Sequence, residues 1–131
     1  MQPLTNSELI KRAKQVAKLN KVSDVVETGG VGCALITSLG NVYLGASIDA
    51  PCGIGFCAET SAIASMVTNG ESRIQKIVAI KEKGVILPPC GRCRELIYEI
   101  NAANQDTDVI LSENRTVKLK TLLPEPWQKK L

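Results

Sequence analysis

Two periodicities organise the chain. Across 5-TNSELIKRAKQVAKL-19 the apolar residues Leu9, Ile10, Ala13, Val16 and Ala17 recur at three- and four-residue intervals, which gathers them on one face of a helix. Thr5 and Glu8 stand ahead of that stripe at capping-box spacing, so an amphipathic first helix is expected there. Downstream the pattern changes: 31-VGCALITS-38 and 42-VYLGAS-47 are apolar, β-branched runs separated by Leu39-Gly40-Asn41, which predicts a hairpin. The stretch 48-IDAPCGIGF-56 is broken by glycine and proline and reads as a loop.

From Cys57 to about Thr68 the residues are small or apolar on every side, which predicts a helix buried all round and ended by Asn69-Gly70. A short continuous apolar run, 76-KIVAIK-81, suits a central strand. Pro88 and Pro89 then precede a helix with Cys90, Cys93, Ile97 and Ile100 along one stripe. With 108-DVILS-112 and 116-TVKL-119 after it, the alternation of strands and helices implies an α/β layer fold, a sheet covered by helices. No repeat, linker or low-complexity tract interrupts it, and 131 residues suit a single domain, 1–131, with its own core.

Composition narrows the function. The apolar runs fall far short of the roughly 20 residues that a membrane span needs, so no membrane role is expected. The start of the sequence lacks the charged-then-apolar pattern of a secretory signal, which makes the cytoplasm the expected location and thiols or metal ligands the expected state of the five cysteines. A net charge of +3 carried on scattered Lys and Arg, with one Phe, two Tyr and one Trp to stack on bases, argues against nucleic acid as a partner. There is no histidine, which excludes Ser-His-Asp triads, Cys-His nucleophiles and every histidine-containing zinc site.

Cys90 and Cys93 stand at i and i+3 at a helix start, a geometry that serves a metal, a redox disulfide or a small-residue core equally well. Cys57 also begins a predicted helix, after a glycine-rich loop. Two strand-to-helix junctions of an α/β sheet can meet at one edge, where such folds place ligands. Three thiolates there would hold Zn²⁺ with one position left for water, the mark of a catalytic rather than a structural site. Cys33 falls in a strand and Cys52 in the loop, so Cys52 is the alternative fourth ligand. Glu59, two residues past Cys57, either serves that open position or simply complements the helix dipole.

Cys57-Ala58-Glu59 followed by Pro89-Cys90-Gly91-Arg92-Cys93 resembles the signature of the zinc-dependent cytidine deaminase superfamily. The likeness extends to 30-GVGCAL-35 with its hairpin, and to 121-TLLPEPW-127, which looks like the Leu-Leu-Pro end of the small free-nucleoside deaminases and of blasticidin S deaminase. The resemblance implies a three-layer cytidine deaminase-like fold with a mixed five-stranded sheet covered by helices. It implies one Zn²⁺ per subunit on Cys57, Cys90 and Cys93, with Glu59 shuttling protons and the Ala58 backbone N–H orienting water or base. The implied reaction converts cytidine or deoxycytidine to the uridine counterpart plus ammonia, in a homotetramer whose neighbouring subunits complete each active site.

This chain departs from the family at three places. Thr60 stands where many relatives carry an arginine that offsets the charge of three thiolates; Arg92 is the candidate to offset it here. The family's ribose-reading Asn-x-Glu segment is 47-SID-49, which leaves Ser47 and Asp49 as altered sugar contacts. The aromatic that stacks on the pyrimidine is replaced by Gly29-Gly30, and Trp127 is expected either to cover the base from a neighbouring subunit or to anchor the tail. A blasticidin S-like or modified cytosine nucleoside is therefore the alternative substrate. A Cys-x-x-Cys redox protein and a structural zinc module are the alternatives from other classes.

Overall fold

In the computed structural model, residues 4–130 are described. Helix α1 spans Asn6–Val16, and its start is the expected capping box: the Glu8 N–H donates to the Thr5 hydroxyl (3.1 Å) and the Thr5 N–H to the Glu8 carboxylate (2.9 Å). Of its stripe, Leu9, Ile10 and Ala13 are buried, together with Ala17 at the C-cap. The strands are β1 (Asn20–Lys21), β2 (Glu27–Thr37), β3 (Val42–Asp49), β4 (Ile74–Lys81), β5 (Ile86–Leu87), β6 (Asp108–Ser112) and β7 (Arg115–Lys118). Helix α2 (Ala58–Thr68) follows β3, α3 (Gly91–Ile100) follows β5, and α4 (Leu119–Leu122) follows β7.

The sheet is mixed, as expected, but has seven strands rather than five. Five of them, in the order β3-β2-β4-β6-β7, form the body. The extra two are two-residue pieces, β1 beside the start of β2 and β5 beside the end of β4, too short to leave a periodic trace in sequence. The hairpin β2–β3 forms where the Leu39-Gly40-Asn41 punctuation predicts it. β4 and β6 are parallel, which requires the crossover through α3.

Alternation along the central strands builds two cores. Cys33 and Leu35 of β2, Ile77 of β4 and Val109 of β6 face α2 and α3; Ala34, Ile36, Val78, Ile80 and Ile110 face α1. A strand buried on both faces must be apolar at successive positions, which explains the unbroken runs 33-CALI-36 and 77-IVAI-80.

Two expectations need correction. The α2 helix is not buried all round: Ala58, Glu59, Ala62, Ile63 and Met66 are buried, while Ala64, Ser65 and Val67 are exposed. Small residues gave that face no polar mark by which sequence could separate it from the core. The segment 48–56 is not all loop either, because β3 runs on through Asp49. Ile48 and Phe56 then exchange backbone hydrogen bonds (3.0 and 2.9 Å), which folds the intervening turn back on the strand.

Candidate metal centre and substrate cavity

The two cysteine-bearing junctions meet. Cys57 is the N-cap of α2 and Cys90 the N-cap of α3, both with extended backbone, which sets both sulfurs at helix starts. Cys93 lies in the first turn of α3 and is fully buried. The Sγ atoms of Cys57, Cys90 and Cys93 all lie within 4.8 Å of one another, and Cys57 and Cys90 approach to 3.5 Å. A tetrahedral zinc with bonds of about 2.3 Å sets its sulfurs about 3.8 Å apart, so the spacing fits one ion. Cys52 stands outside this group on an exposed turn, and Cys33 is buried within the sheet.

Tight contact between α2 and the sheet fixes Cys57 and Glu59. A Cβ added at Gly45 of β3 would overlap the Ala62 nitrogen and the Ala58 carbonyl oxygen, so the helix start lies directly on the strand. On α3, Arg94 donates to the Pro89 carbonyl (2.7 Å) and to the Leu122 carbonyl (3.1 Å), which ties the turn carrying Cys90 to the end of α4.

Electrostatics agree with a cation at this point. Burial pushes the Cys93 thiol well up, helped by the nearby Glu59 carboxylate and by Cys57. Burial also raises Cys57, and its hydrogen bond with Cys90 adds to this. Burial acts against the Cys90 thiolate too, yet the Cys93 backbone N–H and the neighbouring thiols bring it below the ordinary value. Glu59 is 5% exposed and burial raises its carboxyl. Four acidic groups desolvated together repel as anions, and a divalent cation relieves that repulsion. The donor set fits zinc, with sulfur ligands and one position left open.

A cavity of about 600 Å³ opens over the cluster. Ser47, Asp49, Ala58, Glu59, Cys57, Cys90 and Arg92 all line it. Ser47 has a structural duty as well: its Oγ accepts the Val31 N–H at 3.0 Å, where the β2–β3 register shifts, which leaves its hydroxyl hydrogen and one lone pair for a ligand. Trp127 does not line the cavity; it is 59% exposed, and its backbone N–H donates to Glu95 (2.9 Å). Phe56 and Glu27, among the lining residues, went unread in the sequence. Phe56 presents an aromatic side chain next to Cys57, and Glu27 pairs across the strands with Asp49. Phe56 was legible as the one phenylalanine, adjacent to a ligand; Glu27 had no local signal, because only strand pairing brings it to the cavity.

A mixed sheet between helical layers, with thiols gathered at two helix starts and a buried carboxylate facing a cavity, is the arrangement of a zinc centre that activates water for hydrolysis. The family model for the cytidine and deoxycytidylate deaminase zinc-binding region matches residues 4–106, and the chain belongs to that family. It is 32% identical over 99 residues to a cytidine deaminase of Halalkalibacterium halodurans, covering 72% of this chain and 74% of that one. It is 37% identical over 78 residues to the blasticidin-S deaminase of Bacillus cereus, covering 53% of this chain and 56% of that one. Among solved structures, a variant of the cytidine deaminase from Mycobacterium tuberculosis superposes with a TM-score of 0.79 at 24% identity, over 95% of this chain and 98% of that one, a likeness of fold.

Proposed function

We propose that the chain, acting as one domain over residues 1–131, hydrolyses the exocyclic amino group of a free cytosine nucleoside, converting cytidine or deoxycytidine to the uridine counterpart and ammonia. One observation carries this reading: three thiols converge beside a single nucleoside-scale cavity, with Cys57, Cys90 and the buried Glu59 on its wall and Cys93 buried behind them. Cys57, Cys90 and Cys93 would hold the zinc, which when bound supplies a Lewis acid that lets water ionise near neutral pH. Glu59 takes one proton from the attacking water and delivers it to ring nitrogen N3, then takes that water's second proton from the hydroxyl on C4 and passes it to the departing amine. Burial, which raises the Glu59 carboxyl, suits it to hold that proton between transfers. The Ala58 N–H, at the first position of α2, orients the base or the attacking water. Ser47 and Asp49 line the sugar end, and Phe56 supplies an apolar wall.

The finer reading of assembly is a homotetramer in the cytoplasm, in which Trp127 covers the base of a neighbouring subunit. Its support is the exposure of Val67 on α2 and of Trp127, apolar groups that a neighbour would cover. No helix among the described residues is long and apolar enough to cross a membrane.

A second reading, deamination of a blasticidin S-like nucleoside, is favoured by Glu27 and Asp49. They stand directly opposite each other on the cavity wall and offer two carboxylates to a ligand that carries positive charge. Incubating the zinc-loaded protein with cytidine, deoxycytidine, cytosine and blasticidin S, and following loss of the amino group by absorbance, tests both. Turnover of a simple nucleoside supports the first reading and selective turnover of blasticidin S the second; turnover of none contradicts both.

A further inference from the structure

Three thiolates on Zn²⁺ leave the centre with a net charge of −1, which weakens it as a Lewis acid unless hydrogen bonds or positive charge draw electron density from the sulfurs. Arg92 lines the cavity but is exposed, where solvent screens its charge, and it makes no hydrogen bond to a cysteine sulfur among the described residues. Thr60 is placed differently. It is the third residue of α2, and its Oγ1 lies 3.8 Å from the Sγ of the fully buried Cys93 on α3.

A helical threonine ordinarily returns its hydroxyl hydrogen to the carbonyl three or four residues back. Thr68 does so to the Ala64 carbonyl (2.7 Å), but Thr60 makes no such bond among the described residues. Cys93 Sγ is the one hydrogen-bond partner of the Thr60 hydroxyl among the described residues.

We propose that Thr60 is a positioning residue of the metal centre: its hydroxyl donates to the Cys93 thiolate, holds that sulfur in one orientation and lowers its electron donation to the zinc. The proposal rests on the deaminase reading and names the residue that tunes its metal. A neutral donor beside a buried sulfur does this without adding a desolvated charge.

The test uses the whole chain loaded with Co²⁺ in place of Zn²⁺, because thiolate-to-cobalt charge-transfer absorption reports sulfur donation directly. Thr60→Val removes the hydroxyl at nearly constant shape, and Thr60→Ser keeps it. The expected result for T60V is a charge-transfer band displaced to lower energy, with kcat of the zinc form reduced about tenfold and KM unchanged; T60S stays near the parent in both. If T60V does not fold, T60A against T60S supplies the same contrast. A T60V band at the parent position, a parent-like kcat, or a T60S as impaired as T60V each overturns the proposal. A parent protein that binds no cobalt overturns the deaminase reading itself, a failure visible before any variant is compared.

Discussion

Glu59 carries two properties that sequence alone leaves separate. Its position in the first turn of α2 would be ordinary for an acid complementing a helix dipole, but it is buried and lines the same cavity as Cys57 and Cys90. Glu59→Gln keeps the shape and removes the ionisable oxygen, so zinc content should stay at the parent level while turnover falls about 10²- to 10⁴-fold, the span of a proton-transfer contribution. Metal analysis and steady-state rates on one preparation check this, and near-parent turnover at unchanged zinc would remove Glu59 as the shuttle. The cysteines and Glu59 were readable because metal ligation and proton transfer demand particular side chains at fixed spacing. Glu27 and the Thr60–Cys93 contact were not, because pairing of distant elements creates them.

At the level of elements, helix α2 is held in place at both ends. At its start, Gly45 admits the helix backbone, and Gly45→Ala should cost about 1–3 kcal/mol by forcing α2 off β3. A lower thermal midpoint together with weakened zinc retention checks this, and a parent-like midpoint contradicts it. Beyond its end, Glu71 is bound to the β2–β3 hairpin: hydrogen bonds from Thr37, Tyr43 and Asn41 hold its carboxyl below the ordinary value. The folded state thus favours the ionised form. Its contribution is present above the unfolded glutamate value of about 4.3 and is lost as pH falls through the lower folded value. Glu71→Gln should flatten the loss of stability below about pH 4.5 in denaturant titrations; an acid limb as steep as the parent's would contradict that coupling. Sequence period gave these helices and the long strands, since burial repeats at 3.6 or 2 residues. It could not show β1 and β5, which are shorter than any period, nor the exposed side of α2, where alanine and serine look alike whether covered or bare.

For the whole molecule, the layer order follows from the two buried faces of the central strands, and it sets both cysteine junctions at one edge of the sheet. The exposed Val67 and Trp127 bear on assembly. Sedimentation should give four times the monomer mass, and Trp127→Ala should raise KM more than it lowers kcat if the indole covers a neighbour's substrate; a monomer with full activity would contradict shared sites. The central claim is narrower than assembly or substrate: Cys57, Cys90 and Cys93 hold one zinc and leave one position for a light ligand. X-ray absorption at the zinc edge of the purified protein tests it most directly. The account predicts three sulfur neighbours at about 2.3 Å and one oxygen near 2.0 Å; four sulfurs, or none, would contradict it.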